Sequence, residues 1–416
     1  MKKYLILLLF PILLGAGIAA GVGLYDNVVL NSYLDFKTPA TTPATSGAGT
    51  SRIYYDSTTN GLKVSTNAAA TPTWLQAGRN KIINGNFNVW QRGTTLTTVT
   101  TGTAVYLADR WKLSTGTTGS INQSQTTNIS GVNGSYNAIL LQPSTTNTAG
   151  ATSYVTYQQG IEGYNLIPLN NQVCTLSFWA KGTAGTYGIA FNDSTSSVSY
   201  VIDWVVPDTN MHQYAYTFTH SSGTGVWNYT SGLGMLVTFA LVGGSTFQQT
   251  TGSWQSGNKV GSSAMTNTWT NSLSNTMIIA QVQLEAGPSA TQFEQLDFST
   301  EFVKCQRYYQ KCFDYNTAPV QGTGGGIGNP VIAISNGANG IYNNVQFATE
   351  MRVVPTITYY GYAGNSTGQW RDSNNSATLS NATTFQVGTH GFTASDSGTS
   401  IAAGRWLIFW TAACEY

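Results

Sequence analysis

Residues 173–182 read VCTLSFWAKG, and the alternation in this stretch decides the fold class. Successive side chains of a β-strand point to opposite faces, so a period of two indicates a strand with one face in a core. The residues predicted to face the core are Cys174, Leu176, Phe178 and Ala180, and those predicted to face outward are Thr175, Ser177, Trp179 and Lys181. The stretch therefore predicts a half-buried strand.

The same alternation recurs elsewhere in the chain. In MIIAQVQLEAG, at residues 277–287, the residues predicted to face inward are Ile278, Ala280, Val282 and Leu284, and those predicted to face outward are Gln281, Gln283 and Glu285. Further runs of this kind are SYVTYQQ, YGIAFND, HQYAYTFT and MLVTFALVGG, with Gly, Ser and Asn clusters between them. Many short strands separated by turn residues predict an antiparallel β-sandwich, or jelly roll, over residues 80–297.

The composition also favours an all-β protein. Charged residues make up 8% of the 416 residues, against roughly 25% in a typical soluble domain, and aromatic and hydroxyl residues that suit pleated strands are abundant. Lys and Arg total 18 and Asp and Glu total 17, which gives a formal net charge of +1. The chain therefore lacks the basic surface that a nucleic-acid partner requires.

The sequence divides into four segments. They are a hydrophobic leader at 1–25, a linker and β-hairpin at 26–79, the sandwich at 80–297, and a short helix with a smaller β-domain at 298–416. In the leader, Lys2 and Lys3 precede an uncharged apolar run, which is typical of a signal peptide but is also long enough for a retained membrane or assembly anchor. A Pro- and Thr-rich spacer at 38–49 precedes two β-runs around Asn60 and Gly61, a pair that favours a hairpin turn.

The period changes from two to that of a helix at residues 297–313. The residues that recur at three- and four-residue spacing are Phe302, Cys305, Tyr309 and Cys312. This spacing predicts a helix of three to four turns, with Asp297 or Ser299 at its N-cap. On such a helix Cys305 and Cys312 are too far apart to bridge each other, and either could pair with Cys414.

Signals for enzyme chemistry are weak. The three histidines, His212, His220 and His390, are scattered, and the sequence contains no HExxH, GxSxG or phosphate-loop motif. His212 lies in an alternating strand, which indicates a structural role. Carboxylates brought together by the fold could still form a hydrolase pair, but no pair stands out, and we predict a non-enzymatic protein with no catalytic residue and no metal site.

Several tryptophans lie in polar stretches rather than in alternating strands. An aromatic ring can stack on the C–H face of a pyranose, while amide side chains bond its hydroxyls in both directions. The resulting candidates for glycan binding are Trp227, Tyr229, Trp254, Gln255, Asn258 and Trp269. The alternative is that each of these tryptophans packs against one end of the sandwich.

Six motifs occur in order along the chain. They are INGNFNVWQRG from Ile83, ADRW from Ala108, LSFWAKG from Leu176, WQSGN from Trp254, VQLEAGPSATQFEQ from Val282 and CQRYYQK from Cys305. Together they resemble a family of tailed-phage tail fibre or receptor-binding proteins whose central domain is similar to a carbohydrate-binding module of the jelly-roll, galactose-binding-like type.

The resemblance implies an extracellular, virion-associated fibre or tip protein that binds a cell-surface glycan, contacts other virion proteins and forms a homotrimer. It makes INGNFNVWQRG the first strand and turn of the jelly roll, with Phe87 and Trp90 as core or rim packing. Arg92 could pair with a carboxylate such as Asp109. Modules of this type often carry an acidic residue, associated with a structural calcium ion, where this chain has Asn86 and Asn88, so calcium is in doubt and no other cofactor is predicted. The alternatives are a structural shaft or decoration protein that binds no sugar, and a secreted bacterial lectin or adhesin.

Overall fold

The structure is a computed structural model of the chain. It describes residues 51–56, 61–66, 73–74, 78–100, 102–116, 119–221, 223–322, 327–335, 340–362, 368–373, 379–396 and 401–416. The chain forms two compact units, Met1–Leu75 and Gln76–Tyr416, and the finer segment boundaries stay predictions. The leader at 1–25 and the spacer at 38–49 lie outside the described residues. Among the described residues, no helix is long and apolar enough to cross a membrane.

The first unit contains the predicted hairpin. Strand β1, Ser51–Asp56, pairs antiparallel with β2, Gly61–Thr66, in a register that sets Asp56 opposite Gly61. A two-residue strand β3, Thr73–Trp74, adds to β2 opposite Lys63 and Val64. The pairing confirms the hairpin, whereas Asn60 of its turn lies outside the described residues.

Two antiparallel sheets form a sandwich in the second unit. Its strands are β4 Thr95–Val99, β5 Thr103–Tyr106, β6 Lys112–Thr115, β7 Ile121–Thr127, β8 Asn137–Pro143, β9 Tyr154–Glu162, β10 Val173–Gly182, β11 Gly185–Asp193, β12 Val198–Val206, β13 His212–Thr219, β14 Leu233–Gly243, β15 Trp254–Ser256 and β16 Met277–Ala286. One sheet has the order β13-β10-β16-β8-β7-β4, and the other has the order β15-β12-β11-β14-β9-β6-β5. The prediction of an all-β sandwich is confirmed.

The core of the sandwich lies between the inner faces of the two sheets. Phe178 on β10 meets Trp204 on β12 and Phe239 on β14 edge to face, with ring centroids 5.2 and 4.9 Å apart. All four residues of β10 that were predicted to face the core are buried. Thr175 and Ser177 are buried as well, so the outer face of this strand is also partly covered.

The predicted alternation in β16 is wrong at its start. Ile279 rather than Ile278 packs into the sandwich core, and Ile278 and Ala280 belong to a separate cluster on the outer face. The cause is a β-bulge at Gln281, which has a positive φ of 46° and interrupts the pairing with β10. An extra residue in one strand reverses the facing of everything before it.

The outer face of β16 is not solvent-exposed as predicted. Gln281, Gln283 and Glu285 are buried, because the segment that follows β16 folds back over them. The Glu285 carboxylate accepts hydrogen bonds from Thr291, from both its backbone N–H (2.8 Å) and its hydroxyl (2.7 Å). A buried carboxylate needs such donors to replace water.

The INGNFNVWQRG segment is made of turns and not of the predicted first strand. Phe87 has a φ of 52° and is fully buried, and Trp90 is also buried, so of the two predicted alternatives, core or rim packing, both residues take the core. The backbone N–H of Val282 donates to the carbonyl of Gly85 at 2.9 Å. Gly85 lies so close to Val282 that a Cβ would be 2.1 Å from its carbonyl oxygen, so only glycine fits.

A helix and a smaller β-domain complete the second unit. The remaining elements are α1 Gly163–Leu166, α2 Phe298–Gln306, β17 Tyr309–Lys311, β18 Val331–Ser335, β19 Tyr342–Gln346, β20 Thr356–Gly361, β21 Gln369–Asp372, β22 Leu379–Val387, β23 Gly391–Asp396 and β24 Gly404–Ala413, with short 3-10 turns at Ile167–Leu169, Ser245–Phe247 and Trp269–Asn271. Strand β24 is central, because it pairs with β17, β18, β20 and β21. Trp370, Trp406 and Ile408 are buried in the core of this domain.

The helix is shorter than predicted. Asp297 occupies its N-cap without a side-chain hydrogen bond, and the chain turns after Gln306 into β17, so Tyr309 and Cys312 lie beyond the helix. The four cysteines are free thiols, so neither Cys305 nor Cys312 makes the pairing with Cys414 that their positions left open. The helix also has packing partners within the chain, since Cys305 and Tyr308 are buried against Ile83 and Val89.

Candidate functional site

Trp227 and Trp254 come together at one edge of the sandwich. Their rings are nearly perpendicular, with centroids 5.2 Å apart. The indole N–H of Trp254 donates to the Thr219 carbonyl at 2.8 Å, and that of Trp227 donates to the Ser221 carbonyl at 3.1 Å. Both rings are partly buried against the core, so they are fixed packing elements with limited exposed area.

His220 fills the space behind these two rings. It is fully buried, and its ring centroid lies 4.3 Å from that of Trp227. Nδ1 accepts a hydrogen bond from the backbone N–H of Asn171 at 3.3 Å, whereas Nε2 is buried with no partner among the described residues. Burial lowers the pKa of His220 to about 4, so the ring is neutral at pH 7.

Trp269 cannot bind a glycan in this structure. It is 2% exposed and belongs to the sandwich core. Although the surrounding sequence is polar, the chain forms a short 3-10 turn at this point and directs the indole inward. Its assignment as a candidate site residue is corrected accordingly.

The other three candidates, Tyr229, Gln255 and Asn258, make different kinds of contact. Tyr229 donates its hydroxyl to Asn170 Oδ1 at 2.9 Å and packs against the core. The Gln255 amide donates to the Thr250 hydroxyl at 2.6 Å. Asn258 is exposed and lines a groove on the outer face of the sandwich. Among these three residues, Asn258 is therefore the best placed to meet a ligand.

The groove lies on the outer face of the seven-stranded sheet and has a volume of about 440 Å³. Val155 and Tyr157 of β9 face the core, so Thr156 and Gln158 between them face outward into the groove. The residues that line the groove are Ser114, Tyr154, Thr156, Gln158, Asn192, Ser196, Leu236, Thr238, Phe247, Asn258 and Val260. They come from β6, β9, β11 and β14 and from the loop segments beside β15.

The floor of the groove offers both donors and acceptors. Gln158 is half-buried, and its Oε1 accepts a long hydrogen bond (3.5 Å) from the Thr238 hydroxyl, while its Nε2 has no partner in the described part of the chain. Asn192 Nδ2 donates to Ser199 Oγ at 2.7 Å, which holds the amide in place. Amide and hydroxyl groups can bond a ligand hydroxyl in either direction.

One wall of the groove is aromatic. Tyr154 and Phe247 meet edge to face with centroids 5.3 Å apart, and both rings are partly exposed. Phe247 also packs against Ala240 and Val260, which anchors the loop that forms this wall. None of the described lining residues carries a charge, so the groove suits a neutral ligand.

Sequence reasoning did not identify the groove. It predicted SYVTYQQ as a strand but did not assign a role to the outward-facing residues of that strand. The available signal was that Thr156 and Gln158 alternate with the core residues Val155 and Tyr157, which places a polar pair on the outer face of β9. That signal indicates a face, whereas the groove also needs the loop that carries Phe247.

No group of three or more His, Cys, Asp or Glu side chains that could hold a metal ion occurs among the described residues. Asn86 accepts a hydrogen bond from Ser135 Oγ at 2.9 Å, and Asn88 accepts one from Asn137 Nδ2 at 3.0 Å. Both amides serve in the protein's own contacts. That no cofactor is needed stays a prediction.

Comparisons with known proteins find similarity of fold. The sequence matches no protein-family model, and no curated protein matches it. Among solved structures, the enzymatically active domain of tailspike protein 4 of bacteriophage CBA120 has 14% identity and a TM-score of 0.29, over 50% of this chain and 22% of that chain. This chain thus spans less than a quarter of that protein.

Carbohydrate-binding modules are also similar. TmCBM61, solved in complex with β-1,4-galactotriose, has 10% identity and a TM-score of 0.26, over 50% of this chain and all of the module (100%). The family 11 module of the cellulosomal cellulase Lic26A-Cel5E of Clostridium thermocellum has 10% identity and a TM-score of 0.25, over 47% of this chain and 96% of the module. At these identities and TM-scores the similarity concerns the fold alone.

Proposed function

We propose that the protein binds a neutral cell-surface glycan in the groove of the seven-stranded sheet, without cleaving it. The observation that carries this proposal is the chemistry of the groove, which combines an aromatic wall, amide and hydroxyl groups on the floor with Gln158 Nε2 unpaired, and no charge on the described lining residues. Sugars present an apolar C–H face and hydroxyls that both donate and accept, so this combination matches them.

A non-enzymatic role is supported by the positions of the buried acids. Glycoside hydrolysis uses two carboxyl groups on either side of the scissile bond, and no Asp or Glu is found among the described lining residues. Asp109 and Glu162 are instead held by Arg92 and Arg307 in ion pairs of 3.0 and 2.6 Å. These carboxylates are therefore committed to structural contacts.

The biological setting that we propose is a virion tail fibre or tip that assembles as a homotrimer and meets the host glycan outside the cell. Its support is the resemblance of the six sequence motifs, together with exposed apolar side chains on the C-terminal β-domain, where Ile334, Tyr342 and Phe385 are 84%, 62% and 64% exposed. Such side chains favour association with further chains. Light scattering at micromolar concentration tests the trimer, and a monomer would refute it.

The glycan proposal is tested by a glycan array with the full chain, its Gln158→Ala variant and a Gln213→Ala control. Gln213 is an exposed glutamine on β13, in the opposite sheet. Binding of the parent and the control to a neutral glycan, with clear loss in Gln158→Ala, is the expected result. Absence of binding by the parent would favour the second candidate, a structural shaft protein, which the fixed and partly buried Trp227 and Trp254 also favour.

A further inference from the structure

A second cavity lies on the other side of the sandwich, where the segment after the helix approaches β4 and β7. Its volume is about 600 Å³, and the residues that line it include Trp90, Thr95, Gln125, Phe298, Tyr315 and Asn316. Gly93, with a φ of 105°, lets the backbone come close to Ala318 at the rim, where a Cβ would lie 3.2 Å from the Ala318 Cβ. The cavity therefore depends on the close docking of the segment around residue 315.

One wall of this cavity is a rigid group of aromatic rings. Phe298 is 48% exposed, stacks on Phe302 with centroids 5.8 Å apart, and meets Tyr315 edge to face at 5.4 Å. The Tyr315 hydroxyl accepts from the Trp90 backbone N–H and donates to the Asn88 carbonyl, both at 3.0 Å. These contacts hold an open phenyl face in a fixed position.

The other lining residues of the cavity include polar, uncharged side chains. Gln125 and Asn316 have side-chain amides that make no hydrogen bond within the described residues, and the Thr95 hydroxyl is exposed. None of the described residues that line the cavity carries a charge. An open aromatic face together with unpaired amides matches the C–H face and the hydroxyls of a pyranose.

We infer that this cavity is a second saccharide subsite, separate from the groove, which takes one or two neutral sugar residues of the same glycan class. The inference rests on the proposed glycan-binding function and extends it, because two subsites on one chain would raise the avidity for a repeating surface glycan. An extended peptide is a weaker fit. Strand β4 is an edge strand, but its pairing is irregular between Leu96 and Val99 and Thr98 has a φ of 63°, which disrupts the regular edge that strand addition uses.

The test uses saturation-transfer NMR with methyl β-D-galactopyranoside and methyl β-D-glucopyranoside at millimolar concentration. The full-length proteins are the parent, Gln158→Ala, Phe298→Ala, the double variant, and Tyr164→Ala as the control. Tyr164 is an exposed tyrosine on α1 and is not among the residues that line the groove or the cavity. Because Phe298 is about half exposed, its replacement is expected to leave the melting temperature near that of the parent.

In the Gln158→Ala background the remaining saturation transfer should arise from the cavity, and adding Phe298→Ala should weaken it roughly tenfold. Phe298→Trp should retain it, and Tyr164→Ala should match the parent. A double variant that behaves like Gln158→Ala alone overturns the second subsite and leaves the cavity to a protein partner. If Gln158→Ala binds like the parent while Phe298→Ala loses binding, the proposal of a binding site in the groove is overturned. If the parent shows no saturation transfer, both proposed sites are overturned.

Discussion

Arg92 donates a hydrogen bond to Asp109 Oδ1 across 3.0 Å, and this pair joins two of the six sequence motifs inside the fold. Gln91 donates to the other carboxylate oxygen of Asp109 at 2.7 Å. Arg92 also reaches Glu415 at 3.2 Å, and its guanidinium lies over the ring of Tyr309 at 3.7 Å. The motifs that carry the resemblance thus fasten the sandwich to the C-terminal β-domain.

Removal of this arginine should destabilise the second unit strongly. Arg92→Ala leaves the buried Asp109 and Glu415 carboxylates without one of their cations, and breaking a buried pair in this way costs about 3 kcal/mol or more of unfolding free energy. Denaturant unfolding measures the loss. The matched control is Arg405→Ala, because Arg405 is exposed and its loss should change the stability by less than about 0.5 kcal/mol. Equal effects of the two substitutions would contradict a structural role for the cluster.

The bulge in β16 predicts unequal effects for two adjacent isoleucines. Ile279 is fully buried in the sandwich core, whereas Ile278 is partly exposed on the other face. Ile279→Ala should therefore lower the unfolding free energy by about 2 to 4 kcal/mol, and Ile278→Ala should lower it by clearly less. If Ile278→Ala lowered the unfolding free energy more than Ile279→Ala, Ile278 would face the core as the sequence alternation predicts, and the bulge would be wrong.

The same strand shows how far the fold could be predicted from sequence. Alternation alone predicted the facing of β10 and the second half of β16, because a period of two needs only local information. The bulge at Gln281 could not be foreseen, since a glutamine with positive φ has no sequence signature and depends on the partner strand. Likewise, the spacing of Tyr309 and Cys312 continued a helical pattern, but pairing with β24 extends the chain there instead.

The contribution of His220 to stability should depend on pH, and it is measured as the difference between the parent and the His220→Gln variant, because burial raises the pKa of Asp109 to about 6 and gives the opposite slope in the same window. Burial lowers the pKa of this histidine from 6.5 to about 4, so between these values the unfolded chain binds a proton that the folded chain does not. The contribution of His220 to the unfolding free energy therefore rises with pH across this window and is lost as the pH falls. The change is at most about 3 kcal/mol. Melting curves from pH 4 to pH 7 test this. His220→Gln should reduce the gain in stability with rising pH relative to the parent, whereas a matched change at the exposed His390 should not. Identical profiles for the parent and His220→Gln would refute the assignment.

Replacement of the buried Trp269 should lower the unfolding free energy more than replacement of the partly exposed Trp227. Trp269→Ala removes a fully buried indole and is expected to cost about 3 to 5 kcal/mol of unfolding free energy, whereas Trp227→Ala removes a partly exposed ring and should cost less. Denaturant unfolding of the two variants provides the measurement. If Trp269→Ala were neutral for stability but reduced glycan binding, the burial of this ring would be wrong.

The difference between these tryptophans explains why the candidate site was only partly predictable. Polar neighbours surround both Trp227 and Trp269, so local composition cannot tell an inward ring from an outward one. The candidate Asn258 lines a ligand-sized groove, and its role in binding stays a prediction, whereas Gln158 and Phe247 were not among the candidates. They lie about 90 residues apart in the chain and meet only because β9 and the loop after β14 share one face of the sheet.

Glycan binding in the groove should be insensitive to salt. Screening by added salt weakens interactions between charges, and the described lining residues carry none, so the dissociation constant for a neutral glycan should change less than about twofold between low and physiological ionic strength.

Gln158→Lys places a charge on the floor of the groove and should create salt-sensitive binding of acidic glycans. Gln158→Glu should reject those glycans. The control Gln213→Lys puts the same charge on the opposite sheet and should do neither. A parent affinity that falls about tenfold with added salt would show that a charged surface, and not this groove, holds the glycan.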